Sequence, residues 1–145
     1  MLFKLHMTMS RFLCILWASP CSLVGLALGA VVLLLGGSVR RVGCALEFAP
    51  YGGLAPSTSR LRRLPFSAIT FGHVILGTSL QDLVRLRAHE LVHVRQYERL
   101  GPFFFIAYPA SSLLAAATGG CPYRNNRFEM EAFVQSQVAS TSSNT

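Results

Sequence analysis

The pentapeptide His89-Glu90-Leu91-Val92-His93 carries the clearest chemistry in the chain. Histidines four apart share one face of a helix, one turn from each other, so both imidazoles can reach a single metal ion. Glu90 can lean over an open coordination position and accept a proton from water held there. Two imidazoles make half a site, so a third protein ligand must come from elsewhere. Beyond the motif helix, Glu129 and Glu131 are the downstream carboxylates. Asn126 can cap a helix with Glu129 at its third position, from which the carboxylate can project toward the histidine pair. The competing reading is that Glu129 closes a capping box and Glu131 is a solvated surface charge. Five-residue HExxH patterns also arise by chance on ordinary amphipathic helices.

Other residues near the motif in sequence extend the candidate set. Arg85 and Gln96 stand about one turn to either side and can orient a carboxylate or water, or simply form an exposed polar stripe. His73 is a candidate oxyanion donor or alternative third metal ligand, set against the plainer role of a packed structural histidine. Tyr97, Tyr108 and Tyr123 are candidate oxyanion donors, with Tyr97 four residues beyond His93 and nearest in sequence. The four cysteines, Cys14, Cys21, Cys44 and Cys121, form no CxxC pair. That spacing argues against a disulfide scaffold or a structural thiolate-zinc site and favours buried apolar thiols. Gly36-Gly37 and Gly52-Gly53 lack the spacing of a nucleotide-binding loop, and no serine nucleophile elbow is present.

Taken with the downstream stretch Asn125-Asn126-Arg127-Phe128-Glu129-Met130-Glu131-Ala132, the motif resembles the HExxH zinc metallopeptidases of gluzincin type. In that group a downstream Glu is the third ligand, and in its membrane-bound members this Glu opens a Glu-x-x-Ala segment on a second helix. Glu129 and Ala132 match that segment. The stretch is also similar to small bacterial membrane-associated HExxH proteins with an Asn-rich turn before Phe-Glu-x-Glu-Ala. Phe133 stands where the family has Asp after the Ala. The resemblance covers residues 78–139 and implies Zn2+ held by His89, His93 and Glu129, with Glu90 activating water.

These side chains need a frame, and the flanking sequence supplies one. Thr78 with Gln81, or Ser79 with Asp82, can open a helix that Gly101-Pro102 closes, giving a motif helix over 79–100. The pattern around Phe128, Ala132, Phe133, Val134 and Val138 extends a second helix to about residue 139. Residues 41–48 and 68–76 read as two short strands of a hairpin or small sheet. Along the second, Ile69, Phe71, His73 and Ile75 would share one face.

Two charge-free runs dominate the rest. Residues 12–39 are long enough to cross a bilayer, with Gly25 and Gly29 forming a GxxxG pair suited to close helix contact. Residues 101–123 form a second apolar segment, broken by Pro109, with three placements: a kinked span, a re-entrant pair or a buried hairpin. In a chain of 145 residues, 52% are hydrophobic and only 13% charged, about half the usual charged share, which points to a membrane. A cleavable signal peptide fits less well, because the run is long and no Ala-x-Ala site precedes Arg40. Arg40, Arg41, Arg60, Arg62 and Arg63 follow the first run, against Lys4 and Arg11 before it, which favours a cytoplasmic position for the segment that follows. The formal charge of +7 finds its counter-charge in anionic lipid. No basic helix or finger spacing supports nucleic-acid binding.

The resulting expectation is an α+β, mostly helical, membrane-anchored zincin-like minidomain. An anchor region occupies 1–39, a metal-binding domain 40–139 and a flexible tail 140–145. Its expected activity is zinc-dependent hydrolysis of peptide bonds in a membrane-bound, membrane-near or unfolded protein. The expected setting is the bacterial inner membrane, catalytic segment toward the cytoplasm, with a homo-oligomer or partner membrane protein helping to grip substrate. The rivals are a membrane protein with a structural or vestigial metal site, and a membrane adaptor in which the motif is coincidental.

Overall fold

A computed structural model describes residues 2–50 and 66–142, with side chains from Phe12 onward. Helix α1 (Leu2–Leu34) leads into strands β1 (Gly37–Val42) and β2 (Ala45–Pro50). Beyond residues 51–65 come β3 (Ala68–Phe71), β4 (Val74–Gly77) and the motif helix α2 (Leu80–Leu100). A 3-10 turn (Gly101–Phe103) joins α2 to α3 (Phe104–Ala117), and α4 (Arg127–Ser142) follows. The architecture is the expected mostly helical α+β minidomain, with a motif helix, a Glu-bearing helix and a small sheet. Arg60, Arg62 and Arg63 lie outside the described residues.

Both expected strands are in fact hairpins. The sheet has the order β1-β2-β4-β3, with β2 and β4 parallel and the outer pairs antiparallel. Each hairpin turns at two residues opened by a glycine, Gly43-Cys44 and Gly72-His73, and both glycines have φ of 59°. Glycine takes that left-handed conformation at no steric cost, and a leading Gly is the usual signature of such turns. The second turn reverses the facing expected for a continuous strand. Thr70 pairs with Ile75 and Phe71 with Val74, so each pair shares a face.

The sheet lies between α1 and α2. Gly25 of α1 faces Val74 and Phe71 so closely that an added Cβ would stand 2.6 Å from Val74 Cβ. At Gly29 an added Cβ would stand 2.9 Å from the Phe48 ring. Ala18, Cys21, Gly25 and Gly29 form the buried stripe of α1, while Phe12, Leu16, Leu23 and Leu34 remain exposed. The glycine pair, whose spacing permits close contact with another helix, therefore seats a sheet. On the opposite face Ala45, Ala49 and Ile75 pack with Leu83 and Val94 of α2. Arg87 of α2 fixes this contact by a two-pronged pair to buried Glu47 of β2, at 2.8 and 2.9 Å. Such bidentate guanidinium–carboxylate bonds set orientation as well as energy.

The caps of α2 follow the second of the two expected registers. Ser79 accepts from the Asp82 N–H at 3.0 Å, and the Asp82 carboxylate takes the Ser79 and Thr78 hydroxyls at 2.8 Å each. Gly101 ends the helix with φ of 53°, its Cα against the Trp17 indole of α1. Helix α3 continues through Pro109 and is 14 residues long, about 21 Å, short of a hydrocarbon core of about 30 Å. Among the described residues, two helical stretches are long and apolar enough to cross a membrane, Phe12–Leu34 and Leu80–Ala117. Both are consistent with membrane association and with contact to lipid.

Candidate metal centre

Helix α2 presents His89 and His93 one turn apart, with their Nε2 atoms 3.1 Å from each other. Helix α4 brings Glu129 to the same point. Its Oε2 lies 3.1 Å from His89 Nε2 and its Oε1 3.3 Å from His93 Nε2. All three side chains are buried. The ligating atoms lie within 4.8 Å of one another, the arrangement that could hold a metal ion. Zinc takes this donor set of two imidazoles and a carboxylate, with a fourth position left over.

The hydrogen-bond pattern behind the cluster fits a cation. Gln96 donates from its amide nitrogen to the Phe128 carbonyl and the Glu131 carboxylate, both at 3.0 Å. Those two partners only accept, so the amide oxygen must face His93 Nδ1, 2.8 Å away. That nitrogen therefore carries the hydrogen, which leaves Nε2 as the ring atom that faces Glu129 and His89. Imidazole nitrogens and a carboxylate converging in a buried site call for a positive charge among them, a metal ion or a proton, and hydrogen on Nδ1 leaves Nε2 as the donor atom for a metal. This is the tautomer that metal binding requires.

Glu129 is placed by the first turn of α4. Buried Asn126 accepts from the Phe128 N–H at 2.9 Å and donates to the Tyr108 carbonyl and the Ser112 hydroxyl. Its own N–H goes to the Tyr123 carbonyl at 3.1 Å. The reciprocal half of a capping box is thus taken by backbone, and the Glu129 carboxylate is turned to the imidazoles instead. Tyr108 donates to Glu129 Oε1 at 2.6 Å. Burial pushes the Glu129 carboxyl up, but hydrogen bonds from His89, His93 and Tyr108 outweigh it and hold the group well below the usual carboxylate range. Glu131 faces the other way, paired with Arg99 at 2.7 Å and with Gln96.

Glu90 is only 4% exposed and receives the Thr70 hydroxyl of β3 at 2.7 Å. It lines a cavity of about 680 Å³ together with His89, His93 and Glu129. Edge strand β3 forms one wall, from Ala68 to Phe71, and Phe104, Tyr108 and Phe133 contribute apolar surface. The clustering of His89, Glu90, His93 and Glu129 makes a candidate catalytic zinc site consistent with a metalloendopeptidase.

His73 and Tyr97 are not brought to the ligating atoms in the same way. His73 sits on the β3–β4 turn, where its ring contacts Ser22 and Glu98. Tyr97 touches the cavity wall, but its ring packs into an apolar cluster with Ala18, Cys21 and Phe104. Among the three candidate tyrosines, Tyr108 bonds the carboxylate at 2.6 Å, and Tyr123 also lies near Glu129 in the cavity wall. Arg85 lines the cavity and pairs with Asp82, whereas Gln96 lies wholly buried behind His93. Thr70 went unrecognised as a site residue. An isolated threonine in an apolar run gives no signal until the hairpin sets its facing. Comparison with family models, curated proteins and solved structures gives no match.

Proposed function

We propose that the protein is a membrane-associated zinc endopeptidase acting on membrane-bound, membrane-near or unfolded protein chains. The observation that carries this reading is the buried convergence of His89, His93 and Glu129 beside Glu90 at a roomy cavity walled by a sheet edge. His89, His93 and Glu129 would hold the ion, with Gln96 and Tyr108 orienting the ligands. Bound zinc would polarise a peptide carbonyl and lower the pKa of water at the open position.

Glu90 would take the proton from the attacking water and return it to the departing amine. The Thr70 hydroxyl keeps one Glu90 oxygen occupied and so directs the other toward the cavity. The edge of β3, unpaired among the described strands, offers backbone donors and acceptors to an extended peptide, and the apolar wall suits hydrophobic side chains. Exposed apolar surface on α1 and α3 supports a site close to lipid. The proposed setting is a bacterial inner membrane, with the site toward the cytoplasm. Exposed Arg40 and Arg41 just beyond α1 support that orientation. The proposed division of the chain is an anchor over 1–39, a metal-binding domain over 40–139 and a short tail. Help from a homo-oligomer or partner membrane protein is part of the same proposal.

Metal content measured beside hydrolysis of a peptide library tests the assignment. His89→Ala and His93→Ala should each abolish zinc binding at this centre, and Glu129→Gln should weaken it strongly. Glu131→Gln should have a much smaller effect. Glu90→Gln should retain zinc and lose turnover by about 10²-fold or more. An active Glu90→Gln protein would remove the mechanism. Zinc bound here without any Glu90-dependent cleavage would favour a structural metal site.

A further inference from the structure

A second set of ligating atoms meets at one end of the sheet. Cys44 and His73 are the second residues of the two hairpin turns, Gly43-Cys44 and Gly72-His73. Parallel pairing of β2 with β4 sets Leu46 opposite Val74, and the Leu46 N–H donates to the His73 carbonyl at 2.8 Å. That register lays the turns side by side. Glu98 of α2 reaches the same point, with its Oε1 3.1 Å from His73 Nε2. The ligating atoms of Cys44, His73 and Glu98 all lie within 4.8 Å of one another.

Ser22 of α1 decides how the imidazole is presented. Its hydroxyl donates to the Ala18 carbonyl at 3.1 Å and accepts from the His73 backbone N–H at 3.0 Å. The one hydroxyl hydrogen is thereby used. Toward His73 Nδ1, 3.4 Å away, the oxygen can only accept, so Nδ1 carries the hydrogen. Nε2 then turns its lone pair toward the Glu98 carboxylate and the Cys44 sulfur. A proton on Nε2 would reconcile histidine with glutamate but would give the thiol no part. A borderline-soft divalent cation engages all three.

Donor atoms around a tetrahedral zinc stand about 3.3–3.6 Å apart, from the usual zinc–ligand bond lengths. The histidine–glutamate contact is close to that spacing, and Cys44, exposed on its turn, has room to close the remainder. We propose that Cys44, His73 and Glu98 form a second metal site, for zinc or a similar divalent cation, separate from the His89–His93–Glu129 centre. Filled, it would fasten both sheet turns to the late part of the motif helix, with Ser22 as the positioning residue. The inference stands independently of peptide hydrolysis.

Cobalt(II) separates the two centres, because only this one offers sulfur. Full-length protein in detergent, loaded with Co2+ alone, should show a strong near-ultraviolet sulfur-to-cobalt band. The band should persist in His93→Ala and Cys121→Ser and vanish in Cys44→Ser. Zinc content should be about two ions per chain, and about one in Cys44→Ser, Glu98→Gln and His93→Ala alike. A band that survives Cys44→Ser, or no band at all, would overturn the site. So would a zinc content that Cys44→Ser and Glu98→Gln leave unchanged. Loss of the His89–His93–Glu129 centre alone would appear as insensitivity to His93→Ala with the cobalt band intact.

Discussion

Gln96 sits one turn beyond His93 with its amide wholly engaged: oxygen to the imidazole, nitrogen to Phe128 and Glu131. Gln96→Leu keeps the bulk but strips His93 of the acceptor that fixes its tautomer. Zinc affinity should fall by about 10–100-fold in a competition titration, with the helix content unchanged. The pH dependence of metal loss follows from Glu129. Its folded pKa lies below the ordinary value of about 4.5. The stability its ionised form contributes is therefore fully present above that value and is lost only as pH falls through the depressed one. Zinc release between about pH 7 and 5 should then track imidazole protonation, and Glu129→Gln should leave the midpoint of that release little changed while weakening binding throughout. At this scale the sequence was informative where chemistry follows from local spacing. His89, Glu90 and His93 share a helix, and the Asn126 cap aims Glu129. The choice of Tyr108 over Tyr97 depends on how α3 crosses α2 and α4, which no local spacing encodes. Cys44, His73 and Glu98 come from three elements and leave no motif at all.

The small-residue face of α1 shows what an element-level pattern does and does not specify. Gly25 and Gly29 announce close approach, and close approach is what the structure contains, but the partner is a sheet. The pattern encodes absent side chains, not the identity of what fills the space. Gly25→Leu would drive a side chain into Val74 and Phe71 and should destabilise the fold by about 1–3 kcal/mol or more. Thermal unfolding in detergent would register this as a lower Tm. Exposed Leu28 replaced by Ala should change Tm far less. The motif helix was legible to within a residue because its Ser79 cap and Gly101 stop are short-range signals. The strands were blurred because an apolar run broken only by Gly-X has the same hydrophobic profile as one straight strand. Only the Gly72-His73 turn sets the correct facing of Thr70 and Phe71 against β4.

Seen whole, the molecule keeps large apolar side chains on the outside of α1 and α3 while burying its carboxylates and imidazoles. Phe12, Leu23 and Leu34 of α1, and Ile106, Leu113 and Leu114 of α3, are all exposed. Contiguous apolar surface of this kind calls for lipid or a protein partner. The protein should therefore stay with membranes through high-salt and alkaline washing, since screening charge does not release an apolar helix. Immunoblotting of pellet and supernatant checks this, and soluble recovery with an intact N-terminus would contradict it. Composition made membrane association readable from the start. The placement of residues 101–123 was not readable, because a 23-residue apolar run contains no record of where its helix stops.

The polar seam between α3 and α4 couples an exposed apolar helix to the buried cluster. Tyr108 holds the Glu129 carboxylate, the Ser111 hydroxyl accepts from the Arg127 N–H, and Ser112 receives Asn126. The opposite side of α3 carries Ile106 and Leu113, 70% and 72% exposed. A helix stitched in this way cannot be displaced by whatever covers that apolar side without dragging the carboxylate that faces the two imidazoles. Where that face of α3 lies against lipid, a change of acyl-chain length would reach the buried cluster through these same bonds.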